Sequence, residues 1–189
     1  RCKALGISPA VMGYAKKNTT RNSNGNMRKK QSEYASQLKE KQKVKFIYGV
    51  LEKPFYHYFE IAEKMEGKAG DNLITLLESR LDNVAYRMGM ALTRREARQL
   101  VTHRHFTVNG QRVNIPSYRV KEGDVIALYE GSRSSQKFKD VLEQTANRPV
   151  PLWLEANKEN FSVKVTRMPK VEDLDYEVEA HLIVELYSK

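Results

Sequence analysis

Leu73, Leu77, Leu81, Val84 and Met88 follow one another at steps of four, four, three and four, an apolar stripe that predicts one long helix with a single buried face. Asp71 stands at its start as a cap. Gly89 ends it, because a left-handed C-terminal cap disfavours any side chain. Thr93 and Glu96 have the spacing of a capping box and start a second helix, with Ala97, Leu100 and Val101 on its buried face. Arg94, Arg95 and Arg98 gather on the other side. Phe106–Val108 and Gln111–Val113 flank Asn109-Gly110, the strongest short hairpin signal a sequence carries. A loop through Pro116-Ser117-Tyr118 leads to a strand near Asp124–Tyr129.

Upstream the pattern weakens. Residues 1–30 are poorly periodic, and Asn18 to Asn26 is a polar, loop-forming run. Ser32 is the N-cap of a helix on which Tyr34 and Leu38 share a face, with Lys39, Lys41, Lys43 and Lys45 spread around the rest. Phe46, Ile47, Val50 and Leu51 carry the pattern past a break at Gly49. Pro54 suits the first turn of the next helix, which Phe55, Tyr58, Phe59 and Ala62 line. At helical spacing that aromatic group reads as core in preference to a base-stacking surface. Glu66 to Gly70 reads as a loop. Downstream, Phe138, Val141 and Leu142 predict an amphipathic helix over 134–146. Pro149, Pro151 and Trp153 mark an extended tether anchored by a buried indole. Phe161 to Arg167 alternates as a strand. From Glu177 to Tyr187 two readings fit: Val178, Leu182, Ile183 and Leu186 have helical spacing, and Leu182-Ile183-Val184 is also a short apolar run suited to a strand.

Charge changes the picture. The net charge of +10 divides into +10 over residues 1–45, −3 over 46–79, +7 over 80–121 and −4 over 122–189. Two basic regions set apart by acidic ones suit a polyanion touched in two places. The acidic end suits solvent or a basic protein. Guanidinium groups on a rigid platform match phosphate oxygens with two bonds each. Other chemistries fit poorly. No apolar run reaches the ~18 residues of a membrane span, and no signal peptide is expected behind Arg1; native residues are expected ahead of a chain that starts without Met. The single cysteine, Cys2, excludes an internal disulfide and an all-cysteine zinc site and fits a reducing cytosol. His103 and His105 alone leave a tetrahedral metal site half empty. His57 and His181 read as satisfied polar groups in packed helices. Asp82, expected in mid-helix, reads as the partner of an Arg. No glycine-rich phosphate loop, nucleophile elbow or carboxylate cluster is present.

The residues from Ser79 to Leu128, with the Arg-rich helix and the Val-Asn-Gly hairpin, resemble the RNA-binding module of bacterial small-subunit ribosomal protein four. The same module occurs in tyrosyl-tRNA synthetase tails, some pseudouridine synthases and a heat-shock ribosome-rescue protein. Ser32-Glu33-Tyr34, Gln37-Leu38, Glu40-Lys41-Gln42-Lys43 and Tyr48 to Lys53 are similar to that ribosomal family's helical first domain. Asn72-Leu73 through Arg87 and the final Leu182 to Lys189 are similar to it too. The likeness covers residues 28–189. Many members carry a zinc-binding cysteine cluster near the start. With Cys2 alone, this chain resembles the cysteine-free branch, and no structural zinc or other cofactor is expected. The Pro-Gly-x-His-Gly motif usual before the basic run is also absent, which leaves the path of residues 1–27 open.

The expected fold is α+β: a helical N-terminal domain and an RNA-binding module built from a helix-turn-helix-like pair, a β-hairpin and a small antiparallel sheet. The expected divisions are a basic, loop-rich extension at 1–30, a helical domain at 31–78 with 177–189 as a candidate addition, and the module with its C-terminal α/β extension at 79–176. The expected RNA contacts are Arg80, Arg87, Arg94, Arg95, Arg98, Arg104, Arg112, Lys121, Lys41, Lys43 and Lys45. His103, His105, Asn109, Gln111 and Tyr118 are expected to add hydrogen bonds or stacking. The resemblance implies a non-catalytic, cytoplasmic partner of 16S rRNA, binding a junction of the 5′ domain early in subunit assembly. It places Arg28, Lys29 and Lys30 beside the channel by which mRNA enters. It sets the C-terminal segment, with Glu177, Glu179 and Glu185, against small-subunit ribosomal protein five at an interface linked to decoding accuracy. No membrane or small-molecule partner is expected. An RNA-modifying enzyme and a free-standing rescue factor carrying the same module are the two other classes to separate.

Overall fold

The structure is a computed structural model that describes residues 1–14, 32–157 and 159–188. The elements run α1 Cys2–Leu5, α2 Glu33–Tyr48, α3 Glu52–Lys64, α4 Ala69–Glu78, α5 Leu81–Arg87, α6 Arg94–Thr102, β1 Phe106–Val108, β2 Gln111–Arg112, β3 Val125–Leu128, α7 Glu130–Arg133, α8 Gln136–Thr145, β4 Leu154–Asn157, β5 Ser162–Val165 and α9 Ala180–Tyr187, with 3-10 turns at Pro9–Met12 and Val171–Asp173. They form two compact units, Arg1–Leu73 with Asp175–Lys189, and Ile74–Leu174.

The first unit is helical. Ser32 Oγ accepts from Ala35 N and starts α2, and Gly49 ends it with φ 64°. The buried face of α2 is Gln37, Lys41, Val44, Ile47 and Tyr48, and not the side that Tyr34 shares with Leu38, where Tyr34 is exposed. The cause is α9, which packs along α2 and brings Glu185 to accept from Gln37 Nε2 at 3.1 Å. α2 covers its lysine stems, with Lys41 on the buried face and Lys43 and Lys45 beside it, because their ammonium groups are paired: Lys41 with Glu52 at 2.6 Å, Lys45 with the same carboxylate, and Lys43 with Glu40 at 2.7 Å. Phe55, Tyr58, Phe59 and Ala62 are buried on α3, the core reading of that group. Tyr187 of α9 packs on Phe59 with centroids 4.9 Å apart and donates to Glu52 at 2.8 Å. The C-terminal segment is therefore a helix, and the strand alternative falls away. A Cβ on Gly70 would stand 2.9 Å from the Ala180 side chain, so α4 and α9 meet closely at a glycine. Residues 1–14 bury Leu5, Ile7 and Val11, which their lack of periodicity conceals.

The second unit packs helices on a five-stranded antiparallel sheet of order β2-β1-β3-β5-β4. Phe106, Val108, Ile126, Leu128, Val163 and Val165 line one face, the alternation expected of a sheet with one wet side. Asn109 and Gly110 both have positive φ, 50° and 82°, which gives the predicted two-residue hairpin its twist. Trp153 is fully buried in the same core. β4 went unpredicted because Leu154 alone of its four residues is buried, so nothing alternates.

The single helix expected from Leu73 to Met88 is two. Arg80 is extended, with φ −67° and ψ 139°, and forms a β-bridge with Arg119. Val120 N donates to Ser79 O at 2.9 Å and Leu81 N to Tyr118 O at 2.8 Å, so a passing loop takes the bonds an unbroken helix would have made. The five stripe residues all stay buried. α4 begins at Ala69, inside the expected loop, with Asp71 in its first turn rather than as its cap. Of the capping box, Thr93 Oγ1 accepts from Glu96 N, but Glu96 reaches Leu92 N, one residue further out. His57 and His181 are exposed; His57 lies 3.3 Å from Glu60.

Beneath the sheet-facing core lies a charged network. The Glu78 carboxylate is 1% exposed. It accepts from Arg87 at 3.1 and 2.8 Å and from Asn83 Nδ2 at 2.8 Å. Asn83 Oδ1 accepts from Arg94 Nε at 2.8 Å. Arg94 and Arg148 each place a guanidinium 4.4 Å from the Tyr86 ring. Glu78→Ala removes the carboxylate that the buried Arg87 fork grips and should lower stability by ~3–5 kcal/mol. Replacing Glu78 and Arg87 together by Leu and Met should cost much less than the two single changes summed, measured by urea unfolding; simple additivity would remove the pairing argument.

Acid sensitivity belongs to the first unit. Burial acts to raise the Glu52 carboxyl, but hydrogen bonds from Lys41, Lys45 and Tyr187 outweigh it and hold its pKa at about 2. A depressed folded-state pKa stabilises above the ordinary value of 4.5 and loses that stabilisation as pH falls toward 2. Melting curves of the chain and of Glu52→Gln should differ at pH 6 and converge between pH 4.5 and 2.

Candidate nucleic-acid interface

α6 carries the basic surface. Its N-cap is Thr93 and its inner face holds Ala97, Leu100 and Val101. That leaves Arg95, Arg98 and Thr102 on one exposed side, at steps of three and four. Its far end closes without a glycine. Arg104 N donates to Val101 O at 2.9 Å and His105 N to Leu100 O at 3.2 Å, the paired bonds of a Schellman motif. The left-handed position of that motif belongs to Arg104, at φ 62°. A side chain there costs about 1–2 kcal/mol of backbone strain. The freed Arg104 carbonyl accepts from Arg112 Nε at 3.2 Å and Nη2 at 3.1 Å, which ties the hairpin to the helix end. Arg95, Arg98, His103, Arg104, Gln111, Arg112 and Lys121 are all exposed, as is Arg119.

Three expected contacts lie inside instead. Arg80, Arg87 and Arg94 are 2%, 6% and 7% exposed. Arg80 donates to Asp82 at 3.0 and 2.6 Å, Arg87 to Glu78, and Arg94 to Asn83. They are corrected from surface contacts to internal ties: buried carboxylates take up donors of Arg80 and Arg87, and the Asn83 amide oxygen takes Nε of Arg94. Asp82 makes the Arg pair expected of it, but in the first turn of α5 rather than in mid-helix, and Arg98 lies 3.7 Å from the same carboxylate. Exposed Arg98 thus sits above buried Arg80, whose backbone neighbour Arg119 is exposed.

Other expected residues are half engaged. His105 bonds Ser132 Oγ at 2.8 Å and meets Phe138 edge-on at 5.4 Å. Burial, then the positive charges of His103, Lys137 and Arg112, push its pKa below the usual histidine value and favour the neutral ring. Asn109 donates to Asp124 and accepts from Val125 N, each at 2.9 Å, which holds the hairpin on β3. Tyr118 packs against the core. Lys41, Lys43 and Lys45 are the paired lysines of α2. Glu177, Glu179 and Glu185 are exposed in the first unit. Arg28, Lys29 and Lys30 lie outside the described residues.

Sequence reasoning missed Arg119, Tyr129 and Arg148. Arg119 was counted in the +7 stretch, but its exposure depends on the bridge to Arg80. Arg148 donates to Tyr86 O at 3.1 Å, Ala91 O at 2.8 Å and Leu92 O at 3.0 Å. It serves the carboxyl end of α5, where a cation is favoured, from a position 56 or more residues away. Among the described residues no group of three or more His, Cys, Asp or Glu converges on a metal site, and no helix is long and apolar enough to cross a membrane.

The arrangement is a rigid α+β platform with guanidinium groups on one helix, at its end and on the adjoining hairpin. Residues 79–126 match the model of the S4 domain, and residues 4–78 that of the ribosomal protein S4/S9 N-terminal domain. Small ribosomal subunit protein uS4 of Lachnoclostridium phytofermentans is 54% identical over 190 residues, spanning 100% of this chain and 95% of that one. The protein of the same name from Clostridioides difficile is 59% identical over 174 residues, spanning 92% and 84%. That from Agathobacter rectalis is 51% identical over 189 residues, spanning 100% and 95%. The resemblance carried by the Arg-rich helix, the hairpin and the flanking segments is thereby established, and the chain belongs to the family of small ribosomal subunit protein uS4.

Proposed function

We propose that the chain is a non-catalytic structural constituent of the bacterial small ribosomal subunit and binds 16S rRNA directly through the second unit. The observation that carries this reading is the division of the arginines: Arg80, Arg87 and Arg94 brace the platform from within, while Arg95, Arg98, Arg104, Arg112 and Arg119 face outward with Lys121. A-form RNA hides its base edges in a deep groove and offers phosphates and 2′-hydroxyls. A fixed set of guanidinium forks reads that spacing by shape. Arg95 and Arg98 take phosphates along one strand, and Arg104 at the helix end takes another. His103 and Gln111 add hydrogen bonds.

The finer role we propose is early binding that nucleates subunit assembly, with a contribution to mRNA entering the ribosome and to accuracy. Its support is the ribosomal name of the relatives, the basic run Arg28, Lys29 and Lys30, and the exposure of Glu177, Glu179 and Glu185 within residues 122–189 of net charge −4, which suits a basic protein such as small-subunit ribosomal protein five. The cytoplasm is the compartment of such an assembly.

Binding of the full chain to a naked 5′-domain fragment of 16S rRNA, with tRNA as competitor, tests the reading. If ~6–10 phosphates are neutralised, affinity should fall by roughly 10³–10⁵ between 50 and 200 mM salt. Arg98→Ala should flatten the logarithmic salt slope by about one. Salt-independent or tRNA-competed binding would overturn the proposal, and release of the native protein from subunits by a high-salt wash would favour a free-standing factor. Arg104→Gly should relieve backbone strain and raise stability by about 1 kcal/mol while weakening RNA binding. Unchanged binding would remove Arg104 from the interface.

A further inference from the structure

Arg112 differs from the other exposed arginines in being immobilised. Its Nε and Nη2 both donate to the Arg104 carbonyl, which fixes the plane of the guanidinium. Its Cζ lies 4.0 Å from the centroid of Tyr129, a close cation–π contact. The sheet explains the encounter. Arg112 pairs with Thr107, and Thr107 with Ala127, so all three point to the face away from the core, and Tyr129 follows two residues on along the same side. Gly131 lies against Tyr129, and an added Cβ there would come within 2.8 Å of the ring. Phenol ring and guanidinium thus pack together on the face of the sheet away from the core, with Tyr129 36% exposed and Arg112 exposed.

A phosphate contact needs none of this. A mobile Lys or Arg reaches a phosphate oxygen unaided, and tying down two of the five donors wastes the fork that makes Arg a good phosphate ligand. A fixed, planar, weakly hydrated cation backed by an aromatic ring suits a different ligand: the π-face of an unpaired base. We infer that Arg112, held flat by Arg104 and Tyr129, is a stacking platform for one unstacked nucleobase of the bound RNA. This rests on the proposal that the second unit binds rRNA, and it reassigns Arg112 from phosphate contact to base contact. Tyr129 and Gly131 are positioning residues for it.

The test uses the full chain and the 5′-domain fragment, comparing Arg112→Lys, Tyr129→Leu, Tyr129→Phe and Gly131→Ala, with melting curves to confirm that each variant is folded at the assay temperature. Arg112→Lys keeps the charge and loses the plane. It should bind roughly ten-fold more weakly with an unchanged salt slope. Tyr129→Leu and Gly131→Ala, which alter no charge, should follow the same direction, and Tyr129→Phe should bind normally. Base-removal interference on randomly depurinated or depyrimidinated fragment supplies an independent readout: removal of one unpaired base should block the wild-type chain and lose that effect with Arg112→Lys. Equal affinity for Arg112→Lys, or identical interference patterns for the two proteins, would overturn the platform while leaving rRNA binding in place. Failure of the wild-type chain to bind the fragment would instead remove the reading on which it rests.

Discussion

A carboxylate taken out of water must be met by fixed donors, and the second unit is arranged around meeting one. Desolvating Glu78 costs several kcal/mol unless its oxygens are fully bonded. The bidentate fork of Arg87 and the amide of Asn83 supply those bonds, and each fixes something further. Asn83 turns its oxygen to Arg94, which seats the first residue of α6 against α5. Arg94 and Arg148 both stack on Tyr86, and Arg148 closes the carboxyl end of α5. A neighbouring pair, Arg80 with Asp82, does the same work where α4 gives way to α5. The direction in which α6 leaves its turn, and so the aim of its outer arginines, depends on these buried charges rather than on hydrophobic packing alone.

The outer surface then follows from local geometry. The inner residues of α6 leave Arg95 and Arg98 outward. A Schellman closure puts Arg104 in a strained left-handed position and frees a carbonyl, and that carbonyl holds Arg112. The hairpin that carries Arg112 is itself pinned to β3 by Asn109 through Asp124 and Val125. Rigidity passes from the core to the cations in short steps. A shape-reading interface needs this, since a misplaced fork loses its phosphate.

Much of this was legible in the sequence. Ser32, Gly49, Thr93 and Asn109-Gly110 each act through their immediate neighbours and mark their elements correctly, and the stripe picks out residues that are all buried. What escaped depends on residues far apart. The split at Arg80 comes from a loop near Arg119 that takes backbone bonds across some forty residues of chain. The buried face of α2 follows from α9, which lies at the other end of the sequence. Charge pattern is the weakest guide: Arg94 and Arg95 are adjacent in the chain, yet one is internal and one external. Helical phase separates them where charge does not: Arg94 stands three residues before Ala97 and seven before Val101, on the inner side, while Arg95 lies opposite. The lysines of α2 mislead in the same way, since Glu52 gathers two of them from the next helix.

Arginine-selective labelling with phenylglyoxal, read by mass spectrometry on the chain alone and bound to the 5′-domain fragment of 16S rRNA, tests the central division most directly. The account predicts that Arg95, Arg98 and Arg104 react in the free chain and are protected by RNA, while Arg80, Arg87 and Arg94 stay unreactive in both states. Ready labelling of Arg80, Arg87 or Arg94 in the folded free chain, or full reactivity of Arg95, Arg98 and Arg104 in the complex, would contradict it.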